Sequence, residues 1–288
     1  MLRRFTKRYI FIHSTIIESA MRTLITCVFL FFTAAPVLAV DDGEPVIIAK
    51  SYTLNSKILK ETRRFNVMLP PGYEEGKDQY PLLILLDGGA NEDFHHLSGI
   101  VQVSIGNGSM RPFIVVGIEN TQRRRDFTPP TDDPRDRQVA PIVGGASEFR
   151  RFLAEELLPK ISHDYRTSKE VAIAGESFAG LFIVDTLLHQ PELFDDYIAV
   201  SPSLWWNNEY LNREGANLLA GKSLKGKKVF LTMADKTEGM QESVAHMATL
   251  LKDQTTLFYY PMPEESHATI LHGGALKAFR LLLAPDVK

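Results

Sequence analysis

The chain has 288 residues, 44% of them hydrophobic, and a formal net charge of −3. That length holds one α/β domain with a full core or two small ones, and no linker-like stretch divides it. The acidic balance excludes non-specific nucleic-acid binding, and the single cysteine, Cys27, excludes a disulfide framework.

Residues 1–39 read as targeting sequence. Met21-Arg22, an apolar core at 24–32 and Pro36-Val37-Leu38-Ala39 have the charge, core and small-residue cleavage site of a secretory signal. Cleavage is expected after Ala39. Met21 is the expected true start, because residues 1–20 are long for the charged region of a signal. The apolar core is shorter than the ~20 residues a membrane span needs, so the expectation is a periplasmic or secreted protein without stable membrane insertion after cleavage. Cleavage removes five cations and one anion, lowering the net charge from −3 to about −7, and takes Cys27 with it. Residues 40–288 are expected to form a single domain.

Along that domain, 46–56 and 62–69 predict an opening β-hairpin, followed by the turn Pro70-Pro71-Gly72-Tyr73. Strands are predicted at 81–86, 112–118, 170–175, 196–200, 228–233 and 256–260. They alternate with helical patterns near 95–103, 146–161, 178–190, 240–252 and 268–284. Apolar strands alternating with amphipathic helices specify an α/β fold: a mainly parallel central sheet with helices on both faces and an N-terminal antiparallel hairpin.

The most informative stretch is Gly175-Glu176-Ser177-Phe178-Ala179-Gly180, where a predicted strand meets a predicted helix. A nucleophile elbow needs this context, and the sharp turn demands small residues two before and two after the serine, here Gly175 and Ala179. The Phe178 amide, at the helix start, is placed to face a developing oxyanion. A serine also needs a base, and the α/β-hydrolase order is Ser, then Asp or Glu, then His. The strand at 228–233 runs into Ala234-Asp235-Lys236-Thr237-Glu238, which offers two carboxylates. The strand at 256–260 leads to Glu265-Ser266-His267. His267 is therefore the expected base, with Asp235 or Glu238 fixing its tautomer. A second oxyanion donor is expected after the strand at 81–86, in Asp87-Gly88-Gly89, where Gly89 is the likelier amide by position. No spacing among histidines and carboxylates suggests a metal site, and this chemistry needs no cofactor.

Two further motifs bear on substrate. Arg123-Arg124-Arg125 opens a long proline-rich connection, 122–145, and connections of that length often shape a site. Trp205-Trp206 follows the strand at 196–200, and one ring in the core with the other as pocket wall suits a flat acyl or aryl group.

Leu86-Asp87-Gly88, Arg125-Asp126-Phe127-Thr128-Pro129, Gly144-Gly145-Ala146, the Ser177 elbow, Ser201-Pro202-Ser203-Leu204-Trp205-Trp206-Asn207 and Glu265-Ser266-His267 together resemble a family. It comprises the secreted or periplasmic α/β-hydrolases that include enterobactin-type siderophore esterases and relatives of esterase D. The resemblance spans about 62–283. It implies catalytic roles for Ser177 and His267 and oxyanion amides at Gly89 and Phe178. It also prefers Glu238 over Asp235 as the acid, and Arg125, with Arg124 beside it, as the arginines at the site. Glu176 and Ala179 depart from the family's usual His and Gly. The expected function is a serine esterase acting on a small-molecule ester, with a siderophore trilactone as first substrate class. Carbohydrate acyl esters, general carboxylesters, acyl transfer to an alcohol and a non-catalytic binding role are the alternatives.

Overall fold

The computed structural model describes residues 43–234 and 240–285. The signal segment at 1–39 and both acid candidates, Asp235 and Glu238, lie outside the described residues. From Ile47 onward the chain is built on an eight-stranded sheet of order β1-β2-β4-β3-β5-β6-β7-β8. Strands β1 (Lys50–Ser56) and β2 (Glu61–Met68) form the predicted hairpin, with Lys50 opposite Val67 and Ser56 opposite Glu61. β2 runs antiparallel to β4 (Ile114–Ile118). The others, β3 (Tyr80–Leu85), β5 (Thr167–Glu176), β6 (Asp196–Val200), β7 (Lys228–Thr232) and β8 (Thr256–Tyr259), pair in parallel with one another and with β4.

The helices are α1 (Phe94–Gly106), α2 (Arg123–Phe127), α3 (Pro134–Val139), α4 (Ala146–Phe152), α5 (Leu158–Asp164), α6 (Phe178–His189), α7 (Trp206–Leu219), α8 (Met240–Leu251) and α9 (Ile270–Leu282). Because successive strand side chains point to opposite faces, the apolar runs feed two cores. Leu82, Ile84, Val116, Ile173, Tyr197 and Leu231 join the core under α4, α6, α7 and α8. Leu83, Leu85, Val115, Ala172, Ile198 and Phe230 join the core under α1 and α9. Strands buried on both faces explain why β4 and the greater part of β6, after Asp196, read as apolar runs. Helix α6 is buried from Phe178 to Leu188, as a helix apolar on every side must be.

Helices α2 and α3 stand in the connection at 122–145, where no helix is predicted, and two further elements differ from expectation. The helix predicted over 146–161 is interrupted by a π turn at Leu153–Leu157 before α5 carries it to Asp164. Pro159 lies just beyond, and its missing N–H breaks the i to i−4 ladder there. Helix α7 was not predicted, because its sequence is mostly polar. It opens with Asn207, Asn208 and Glu209 in left-handed backbone, φ 49°, 53° and 58°, and only then buries Leu211, Gly215 and Leu219 at helical spacing. That three-residue stripe is the sequence signal that was present.

Candidate active site

Parallel α/β sheets place ligands at the carboxyl ends of their strands, and the predicted chemistry gathers there. β5 ends at Glu176, and the next residue, Ser177, has φ 61° and ψ −118°, the strained geometry expected of a nucleophile elbow. A Cβ on Gly175 would sit 2.6 Å from Ala179 Cβ, so the turn closes only because both residues are small. The Ser177 N–H is held by Val200 O at 3.0 Å, and Ser203 N–H donates to Ser177 O at 3.1 Å. The loop after β6 thus buttresses the elbow.

His267 arrives on the loop that follows β8. Its Nε2 lies 3.1 Å from Ser177 Oγ, the contact a base must make with its nucleophile. Its Nδ1 lies 2.7 Å from Ser201 Oγ, and Ser203 Oγ is 3.3 Å from Ser177 Oγ. Burial, and after it the nearby charge of Arg123, hold the imidazole below its ordinary pKa, so His267 is neutral and able to accept a proton near pH 7. Ser201 and Ser203 carry no sequence pattern that marks them, beyond their place in the stretch after β6.

The Phe178 amide stands in the first turn of α6, where helix N–H groups have no intrahelical acceptor, next to Ser177. Gly89 differs from expectation. Its N–H donates to Glu92 Oε2 at 2.7 Å, and Glu92 is itself held by Asn120 Nδ2 at 2.9 Å. Gly88 is needed for close packing on the sheet: a Cβ there would come within 2.3 Å of Gly117 Cα.

The arginine run divides three ways. Arg123 grips Asp87 through Nε and Nη2 at 2.5 and 2.7 Å and reaches Glu176 O at 3.3 Å. Arg125, expected at the substrate, instead engages Glu61 through Nη2 at 2.8 Å and Asp126 through Nε at 2.7 Å. Burial alone would raise Glu61, but hydrogen bonds from Arg125, Thr121 and Arg63 pull it down to about 2. Arg124 is the exposed member. With Arg123 it lines a groove of about 310 Å³ that also includes Thr121, Gln122, Pro141 and Ile142.

Glu176 gives the site an acidic side. Burial, then the charges of Asp93 and Asp87, push its carboxyl up to about 7 against the pull of Arg123. Burial, and next the charge of Asp87, raise Asp93 as well. Of the tryptophans, Trp206 is core, its Nε1 donating to Pro129 O at 2.9 Å. Trp205 is half-buried, with its ring 5.8 Å from that of Phe178. His96 and His272 pair at 3.1 Å on the surface. No cluster of three or more His, Cys, Asp or Glu among the described residues has the arrangement of a metal site.

A strained serine, a neutral histidine on it and a helix-start amide beside it are an arrangement able to carry out acyl transfer. The family model described as "Putative esterase" matches residues 56–260. The chain belongs to this esterase family. It is an enzyme acting on ester bonds, with the α/β-hydrolase fold. Among relatives of this esterase, the ferri-bacillibactin esterase BesA of Bacillus subtilis (strain 168) is 27% identical over 253 residues, 78% of this chain and 87% of the relative. The siderophore enterobactin esterase of Emericella nidulans is 32% identical over 141 residues, 44% of this chain and 43% of the relative. The solved structure of an IroE-like serine hydrolase from Shewanella oneidensis has a TM-score of 0.74 and 29% identity, with 82% of this chain and 80% of that one covered. Among the described residues no helix is long and apolar enough to cross a membrane.

Proposed function

We propose that this esterase opens the ester bonds of a siderophore trilactone through an acyl-enzyme, with Ser177 as nucleophile and His267 as base. The single observation that carries the chemistry is the 3.1 Å contact of His267 Nε2 with Ser177 Oγ at a strained elbow. His267 takes the Ser177 proton as Oγ attacks the ester carbonyl, and the oxyanion forms against the Phe178 amide. Collapse breaks the C–O bond, and the imidazolium returns the proton to the leaving alcohol. Water, deprotonated by His267, then attacks the acyl-enzyme, and the second collapse releases the acid and restores Ser177. Gly89 serves as second oxyanion donor only if Glu92 releases its amide. Glu238, before Asp235, is the proposed acid partner of the pair.

Support for the substrate class comes from the relatives, one named for ferri-bacillibactin and one for enterobactin. Arg124, in the open groove beside Arg123, is the cation available to an anionic substrate, with Trp205 as the proposed aromatic wall. One observation favours a second reading, an uncharged acyl ester such as an acylated carbohydrate. The charges of Asp93 and Asp87 act on Glu176, the residue before Ser177, and they disfavour a ferric tris-catecholate trilactone of about three negative charges. We also propose export: residues 1–39 direct the chain to the periplasm or beyond, and the mature protein starts at Val40. Intact-mass measurement after expression in a Gram-negative host tests this.

The test of function is turnover by purified enzyme of ferric and iron-free catecholate trilactones, p-nitrophenyl esters and acetylated sugars. Highest kcat/KM on a trilactone is expected. Activity on simple esters with none on either trilactone would overturn the substrate class and leave the ester chemistry standing.

A further inference from the structure

With Ser177 as nucleophile and His267 as base, the imidazole works in only one tautomer. Nε2 must keep the lone pair that accepts the Ser177 proton, so Nδ1 must carry the ring hydrogen. An acceptor-only carboxylate at Nδ1 enforces this in a Ser-His-Asp triad. Among the described residues the group at Nδ1 is the Ser201 hydroxyl, at 2.7 Å, and a hydroxyl by itself either donates or accepts. Its other neighbour decides. Ser201 Oγ lies 3.3 Å from Met233 Sδ, and a thioether sulfur has no hydrogen to give. The Ser201 hydroxyl therefore donates to Met233 and turns its lone pairs toward Nδ1, which must be the donor.

The arrangement is held from all sides. Ser201 is fully buried, so bulk water does not compete for its hydroxyl. Its φ of 45° is an uncommon backbone for a residue other than glycine, and its N–H is fixed on Thr232 O at 2.9 Å. Strand β6 lies between β5, which carries Ser177, and β7, which leads to Met233. The sheet order itself therefore places the relay Met233, Ser201, His267, Ser177. We infer that Ser201, oriented by Met233, is a positioning residue that holds His267 in its Nδ1–H tautomer, alongside the carboxylate proposed above. This rests on the reading of Ser177 and His267 as nucleophile and base.

The test combines nitrogen-15 NMR of the histidine rings with kinetics on p-nitrophenyl acetate, using the mature enzyme. In the wild type, above the titration of His267, Nδ1 is protonated and Nε2 bare. Ser201→Ala lowers kcat about 10- to 100-fold, short of the ~10⁴-fold that follows loss of a triad carboxylate, with KM nearly unchanged, and His267 becomes a tautomer mixture. Met233→Leu keeps the bulk but removes the acceptor, so the Ser201 hydroxyl is free to donate to Nδ1. The tautomer shifts and kcat falls several-fold. The double variant is no worse than Ser201→Ala alone, because both act through one relay.

The inference is overturned if folded Ser201→Ala keeps wild-type kcat and the Nδ1–H tautomer. It is equally overturned if the tautomer survives in both variants and shifts instead in Glu238→Gln or Asp235→Asn. Should Ser201→Ala fail to fold, a wild-type tautomer and rate in Met233→Leu overturn it. A wild-type enzyme inactive on every ester refutes the nucleophile reading instead, and the NMR arm still decides the role of Ser201.

Discussion

The carboxyl edge of the sheet has two unlike halves. Over β5 and β6, with the His267 loop, the described polar groups past Glu176 include hydroxyls and one neutral imidazole, linked in a chain of contacts: Ser201 to His267 at 2.7 Å, His267 to Ser177 at 3.1 Å and Ser177 to Ser203 at 3.3 Å. Over β2, β3 and β4 they are ions: Arg123 on Asp87, Arg125 on Glu61, and Arg63 on Asp126 at 2.6 Å with both side chains buried. The neutral half starts uncharged and develops an imidazolium and an oxyanion together when the proton moves. The ionic half fixes loops and sets the potential the neutral half feels, through Arg123 on His267 and through Asp87 and Asp93 on Glu176. Chemistry and scaffolding are thus separated on one edge by the kind of polar group used.

The sharpest way to break this division is at the neutral half. Ser177→Ala should lower kcat on p-nitrophenyl acetate by several orders of magnitude while the melting temperature stays near wild type, and His267→Ala should be about as damaging because the two act as a unit. A folded Ser177→Ala enzyme of near wild-type rate would refute the mechanism.

The reverse pattern is expected in the ionic half. Arg63 Nη1 donates to Asp126 Oδ2 and Glu61 Oε1, with its guanidinium 5.2 Å from the Phe149 ring centroid. Asp126→Ala leaves that buried cation short of a partner and should destabilise the fold by about 3 kcal/mol. Urea melts should show the loss, while kcat of the remaining folded enzyme stays within a small factor. Unchanged stability would mean that Glu61, Thr121 and the Glu119 carbonyl together satisfy Arg63.

Glu176 lies on the boundary, and pH exposes it. Its folded pKa of about 7 exceeds its ordinary value of 4.5, so between those values the folded state holds the extra proton. Stability then falls as pH rises from about 4.5 to 7, and the penalty is complete above that window. Glu176→Gln should leave Tm nearly unchanged at pH 4 and raise it by about 2–4 °C at pH 8, the shift expected of ~1 kcal/mol in a domain of this size. Equal Tm gains at both pH values would show that ionisation is not the cause. The rate profile has another origin. Because His267 is held below 6.5, kcat/KM for an uncharged ester should rise through a limb centred below that pH and then level off.

How legible each half was in the sequence follows from the same division. Ser177 and His267 could be read because a strand-turn-helix elbow and a fixed chain order constrain residue types locally. β4 and the greater part of β6 could be read because burial on both faces leaves an apolar run. Ser201 could not, since a serine becomes a tautomer-setting group only when the sheet brings β6 beside β5 and a loop 66 residues further on. Nor could the partners of Arg123 and Arg125 be read. A run of three arginines looks uniform, yet two of them meet carboxylates from β2, the end of β3 and α2 that only tertiary structure brings together. Helix α7 was hidden by its polarity and its left-handed start.

The smallest expected effect tests whether the ionic half also meets substrate. Arg123 and Arg125 are committed to Asp87, Glu61 and Asp126, so only Arg124, exposed in the groove beside Arg123, has a charge to offer a ligand. An exposed cation attracts an anion weakly and through a screened field. Arg124→Gln should therefore raise KM for a ferric catecholate trilactone only about two- to five-fold at low salt, a change of ~1 kcal/mol or less. The difference should vanish near 0.5 M salt, where the Debye length is only about 4 Å, and KM for a neutral aryl ester should not move. A larger loss that persists at high salt would mean direct, desolvated contact with the substrate. An equal loss on both esters would mean that Arg124 shapes the groove rather than reading charge.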